Sequence, residues 1–143
     1  MRTVPVLVAT WSPDVTPELT ALALAALIQY GTLLWFGAIA RRQGTLGYQM
    51  GNRDTPPPHT GRAARAQRAF ANHTENLVLF AIAAVVVTLS GQASWFTALC
   101  AWLYLLARIL YVPAYVLGIA QARSALWGTG WIATLLMLLA ALF

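Results

Sequence analysis

Arg62-Ala-Ala-Arg65-Ala-Gln-Arg68-Ala-Phe-Ala-Asn72-His73-Thr-Glu75-Asn76 runs without a break into the apolar stretch Leu77–Leu89. Arg65, Arg68, Asn72 and Glu75 are spaced by three, four and three residues, which at about 100° per residue puts them within one narrow helix face. The alternative face carries Ala64, Ala66, Ala69 and Phe70. A stripe with both charge signs that continues into membrane-compatible sequence is not hosted by lipid, where buried charge is expensive. It has to look into a bundle interior, a subunit interface or a water-filled pocket. The neutral part, Asn76–Leu89, falls short of the ~20 residues a spanning helix needs. The crossing therefore takes in the turns that hold Asn72 and Glu75, and the motif is expected to form a buried site rather than a juxtamembrane surface.

The rest of the chain agrees with a membrane setting. Its 143 residues make one domain, 59% apolar and only 9% charged, where a soluble domain carries roughly 25% charged residues. The formal charge is +5, and all nine basic residues are Arg. Most of them sit between Arg41 and Arg68 with few aromatic residues among them, which reads as membrane topology and a site rather than a nucleic-acid surface. The single Cys100 excludes an intramolecular disulfide and a Cys-based metal site. It reads as a small packing residue. His59 and His73 are unconnected, and no metal site is expected.

Outward from the motif, the chain divides into four apolar segments, approximately 17–41, 61–90, 93–120 and 124–143. Thr16-Pro17-Glu18 has the chemistry of a helix start: a capping hydroxyl, Pro at the first helical position and an acid in the first turn. Met1–Ser12 reads as a short extramembrane lead-in. Gln43–Thr60, with three glycines and Pro56–Pro58, reads as a stiff connector. Pro113 is expected to kink the third helix. Gln121-Ala-Arg123-Ser124 reads as the last loop, and Trp127 and Trp131 suit an interfacial belt. The first and third connections carry Arg41, Arg42, Arg53, Arg62 and Arg123, whereas the lead-in carries Asp14 and Glu18 and the second loop no charge. The positive-inside rule puts the 42–60 and 121–124 loops in the cytoplasm. The expected fold is an all-α integral membrane four-helix bundle.

Two polar faces then lie on adjacent helices: Arg65, Arg68, Asn72 and Glu75 on the second, and Arg108, Tyr111 and Tyr115 on the third. Arg123 and Ser124 follow at the cytoplasmic mouth. A buried Glu75 needs a cation, and Arg108 is the candidate at similar depth. That pair alone could serve only to hold helices together. Several arginines around one pocket point to a small polyanion, because guanidinium forks bind carboxylates in bidentate fashion. An anion-binding cluster with lipid-facing walls fits an enzyme that joins a charged soluble cosubstrate to an apolar membrane substrate.

At these residues the chain resembles the MAPEG family, the membrane-associated proteins in eicosanoid and glutathione metabolism. The resemblance covers nearly the whole chain and rests on Arg65-Ala-Gln-Arg68-Ala-Phe-Ala-Asn72-His-Thr-Glu75, with Arg108-x-x-Tyr111-x-x-x-Tyr115 and Arg123-Ser124 as a second match. It implies a homotrimer with glutathione bound between neighbouring subunits near the cytoplasmic side. By position, Arg68, Asn72, Glu75, Tyr115 and Arg123 would contact glutathione, Arg123 would stabilise the thiolate with Ser124 beside it, and Trp127 falls where some members have a glutathione-contacting tyrosine. Ala71 stands where some eicosanoid-pathway members have another arginine, and Tyr111 where the prostaglandin enzyme has a histidine. The Tyr115-to-Arg123 interval is one residue shorter than in that enzyme. These departures argue against prostaglandin or leukotriene synthesis, and the first loop looks like the bacterial branch, whose members would sit in the inner membrane. The expected function is a glutathione-dependent transferase or peroxidase acting on lipophilic electrophiles or lipid hydroperoxides. The alternative is a non-catalytic protein of the same fold that binds a lipid headgroup or another anionic metabolite. A transporter with Glu75 and Arg108 as a relay fits less well, since the chain lacks inverted repeats and broken-helix pairs.

Overall fold

The computed structural model describes residues 15–143; the lead-in Met1–Ser12, and the Asp14 used in reading the topology, lie outside them. Five helices follow in order: α1 (Pro17–Arg42), α2 (Leu46–Met50), α3 (Gly61–Leu89), α4 (Trp95–Leu117) and α5 (Ala120–Ala140). Among the described residues, α1, α3 and α4 are long and apolar enough to cross a membrane. The 21 residues of α5 reach the necessary length, but Trp127-Gly-Thr-Gly130-Trp131 dilutes their hydropathy.

Local chemistry sets the helix ends. Thr16 caps α1 by accepting from the Leu19 N–H at 3.4 Å, with Pro17 at the first helical position. Ser94 and Thr97 form a reciprocal capping box at the start of α4, which satisfies two otherwise orphaned donors. At its other end, α4 stops on Gly118 in the left-handed region, φ 84°, a conformation that favours glycine. The N–H groups of Gly118 and Ile119 both return to the Ala114 carbonyl, at 3.1 and 2.9 Å. The connection to α5 is therefore only Gly118-Ile119. This corrects the reading of Gln121–Ser124 as a loop: these residues form the first turn of α5, and the Arg123 N–H donates to the Ile119 carbonyl at 3.0 Å. Pro113 lies inside α4, which continues past it.

The long first connection also has internal order. It contains α2, and Gln43 clamps its two ends by donating from Nε2 to the Thr60 carbonyl at 3.0 Å and accepting from the Thr60 N–H at 3.4 Å. The Tyr48 hydroxyl donates to the Thr55 carbonyl at 2.8 Å, and the His59 ring meets Phe36 and Tyr48 edge-on.

α3 and α4 pack on each other, and each packs on both α1 and α5. Ala21, Ala25, Ala83, Ala84, Ala101 and Ala133 make much of the core, filled by Phe80, Tyr104, Leu105 and Met137. Small side chains let membrane helices approach closely, where packing rather than water exclusion drives association. Polar side chains add specific ties. Gln29 on α1 donates to Thr74 and to the Phe70 carbonyl on α3. Thr97 on α4 donates to Glu18, an acid fully buried at the end of the bundle away from Arg62, Arg65 and Arg123.

Candidate functional site

The phase of α3 decides which of its polar residues face inward. Its buried stripe is Ala63, Ala66, Ala69, His73, Asn76, Phe80, Ala83, Ala84 and Val87. Arg68 and Glu75 are exposed, and Arg65 and Asn72 are half-buried. The expected inward stripe is thus about one residue out of phase. The alanines at 63, 66 and 69 give the closest contact to the neighbouring helices, so they take the core and the arginines turn outward.

This phase also corrects the expected Glu75–Arg108 pair. Arg108 is fully buried, but its Nη2 donates to Asn76 Oδ1 at 3.4 Å. Its guanidinium lies between two rings, 5.2 Å from the Tyr104 centroid and 5.1 Å from that of Tyr111. Tyr104 in turn stacks on Phe80, with centroids 3.8 Å apart. Aromatic faces attract a desolvated cation by up to about 2 kcal/mol each, which offsets part of the cost of burying the charge. Room for the guanidinium comes from Gly130 on α5, where a Cβ would lie 2.6 Å from Nη2. The Arg108 Nε and Nη1, the Tyr104 hydroxyl and both His73 ring nitrogens have no partner among the described residues. His73, Asn76, Tyr104 and Gly130 are the residues that sequence reasoning missed. For His73 and Asn76 the signal was the three-and-four spacing of Ala66, Ala69, His73, Asn76 and Phe80 on α3.

From this buried cluster a ladder of side chains leads outward. Tyr111 meets Tyr115 edge-on, with centroids 5.5 Å apart, and Arg123 lies 4.9 Å above the Tyr115 ring. Tyr111, Tyr115, Arg123, Ser124, Trp127 and Gly128 line an open groove of about 560 Å³ together with Asn72 from α3. It lies toward the end of the bundle where α3 and α5 begin and α4 stops. Six of the ten expected site residues meet here.

The other four lie elsewhere. Arg65 donates from Nε to the Val116 carbonyl at 2.9 Å and packs over Gly118, so it neutralises the negative end of α4. Glu75 lines a second groove, of about 660 Å³, with Phe36 of α1, Phe70 of α3 and Tyr48, Arg53 and His59 of the first connection. Arg68 stands on the ridge between the two grooves, as its angular position between Asn72 and Glu75 requires. Arg108 is buried behind the first groove. The chain therefore has two separate grooves, one on either side of a ridge that carries Arg68.

Comparison with known proteins adds one positive finding. A family model described as the MAPEG family matches residues 19–143. No curated protein and no solved structure matches the chain.

Proposed function

Because the chain belongs to the MAPEG family and has three helices fit to cross a bilayer, it is an integral membrane protein, and we propose that it is a glutathione-dependent transferase or peroxidase acting on lipophilic electrophiles or hydroperoxides. The observation that carries this reading is the groove in which Asn72, Tyr111, Tyr115, Arg123, Ser124 and Trp127 converge. Its donor set suits glutathione. Arg123 and the Asn72, Ser124 and tyrosine donors match carboxylates and peptide carbonyls, and Glu75 in the second groove suits an ammonium group. Arg123, held over Tyr115, would favour the ionised thiol through its fixed positive charge. Glutathione supplies the nucleophile in this scheme, and the buried Cys100 has no chemical part.

The working form is a homotrimer of four-span protomers in a bacterial inner membrane. The exposed ridge supports this, because Arg68 and Glu75 need a partner surface that lipid does not provide. A neighbour placed there would bring its own groove against the Glu75 side and complete the site. The Arg-bearing ends, including the first connection and the Gly118–Ser124 corner, face the cytoplasm.

Calorimetry of glutathione binding to detergent-purified protein tests the reading, with the ultraviolet band of the thiolate followed in parallel. Saturable binding that is lost in Arg68→Ala and Glu75→Gln, with a thiolate band near neutral pH, is the expected result. A well-folded oligomer that binds no glutathione would overturn it and leave the groove to a lipid headgroup or another anionic metabolite.

A further inference from the structure

Arg108 carries a charge for which the described residues hold no counter-charge. It is fully buried within a membrane-spanning helix, where an arginine is expected to pair with a carboxylate or with backbone carbonyls. Its one hydrogen bond goes instead to the Asn76 amide oxygen, at 3.4 Å. The acids among the described residues are Glu18, Asp54 and Glu75. Glu18 accepts from Thr97 in the first turn of α4, about 16 Å from Arg108 along the helix. Asp54 and Glu75 are exposed. Because Arg108 has no accessible surface, a neighbouring subunit cannot supply the carboxylate either.

The buried polar groups nearby add donors rather than an opposite charge. The Tyr104 hydroxyl, both His73 ring nitrogens and Arg108 Nε and Nη1 are all buried without a partner among the described residues. A histidine offers at least one N–H and a tyrosine one O–H. The Tyr104 ring lies 5.2 Å from the guanidinium, and His73 is one turn from Asn76 on the buried stripe of α3. Nη2 and Nε lie against α5, where a Cβ on Gly130 would come within 2.6 and 3.1 Å of them. Nη1 is the guanidinium nitrogen turned away from that contact. Buried donors of this kind call for a water or an ion. Only an anion also offsets the charge, whose burial alone is costly.

We propose that a monatomic anion of the chloride class binds at Nη1 of Arg108, between α3 and α4, with the Tyr104 hydroxyl and the His73 N–H as further donors. The occupant is small because neither groove has Arg108 in its lining, and the rings of Phe80, Tyr104 and Tyr111 fill the surroundings. A halide also suits an aromatic setting, since ring edges carry partial positive charge. The ion would make the buried cluster neutral and tie α3 to α4 at mid-depth.

The test uses the detergent-purified full chain, prepared throughout in sodium gluconate. Melting is followed as chloride or bromide replaces gluconate at constant ionic strength, and equilibrium dialysis with radioactive chloride measures binding. A ligand of the folded form raises the melting temperature with the logarithm of its concentration once that exceeds the Kd. This rise, and saturable binding stoichiometric with the chain, are expected for the wild type. Tyr104→Phe removes one donor and keeps the ring, and is expected to weaken binding by about tenfold, the scale for a hydrogen bond to a charged group. Arg108→Met is expected to abolish both signals. Arg123→Ala, which removes the cation of the open groove, is expected to keep them. Equal melting in all three salts with no chloride bound would mean that water alone meets the donors, and overturns the proposal. Affinity unchanged in Tyr104→Phe, or lost in Arg123→Ala, would place the ion elsewhere and overturn it too. Glutathione takes no part in these measurements, so they decide the ion site whatever the groove binds.

Discussion

Arg108 shows how single residues are balanced here. It is a buried cation that donates to an amide, Asn76, and lies over the rings of Tyr104 and Tyr111. The sequence shows that a charge at this position is buried, because the run around it is neutral. It does not show the partner, since Glu75 and Asn76 differ by only one residue in helix phase. Gly130 is the tightest constraint. Gly130→Ala is expected to lower stability by about 1–3 kcal/mol, the range for overpacking a core, read as a fall in the detergent-state melting temperature. In an Arg108→Met background the same change should cost clearly less, and a double-mutant cycle measures the difference. Equal costs in the two backgrounds would show that the contact is not the source. In the groove, Arg123→Ala should reduce glutathione turnover by about 10²–10³-fold if its charge supports the thiolate. Size-exclusion chromatography should show the oligomer intact. Unchanged turnover would remove Arg123 from the chemistry.

At the scale of elements, the long helices were legible because length, charge-free runs and the Thr16-Pro17-Glu18 start leave little choice. Two features were not legible, each for a physical reason. The rotation of α3 depended on whether arginines or alanines face the core, and both stripes have helical spacing. The start of α5 was hidden because Gln121–Ser124 is polar, as a loop would be, while the actual turn is the pair Gly118-Ile119. That corner joins the two polar faces. Arg65 closes it from α3 by binding the Val116 carbonyl, and a hydrogen bond to a charged group contributes about 1.5–3 kcal/mol. Arg65→Ala should therefore destabilise the α4–α5 corner, with hydrogen exchange rising first at Val116–Ala120. Exchange that rises uniformly over the bundle would argue against a local role.

Among the described residues, the two ends of the molecule differ in kind. Arg41, Arg42, Arg53, Arg62, Arg65, Arg68 and Arg123 gather at the end where α1 and α4 finish and α3 and α5 begin. The opposite end holds the buried Glu18 and the uncharged turn Ser90–Ser94. In a Cys100→Ala background, an impermeant maleimide should label Asn52→Cys only in inverted vesicles and Gln92→Cys only in right-side-out ones. The opposite pattern would reverse the assigned orientation. The sequence reading expected one pocket, whereas the structure divides the expected residues between two grooves and the positions around them. Sequence spacing describes one helix at a time, whereas the division arises from how α3 sits between α1 and the α4–α5 pair.

The slot at Gly130 also puts an order on how this protein can change over generations. A bulkier side chain there meets the guanidinium of Arg108 at once, whereas shortening Arg108 first opens the space and removes the conflict. The two positions can thus be exchanged more readily along one route than along the other. A library that randomises both together should recover pairs that a stepwise walk starting at position 130 would reach only through a less stable intermediate.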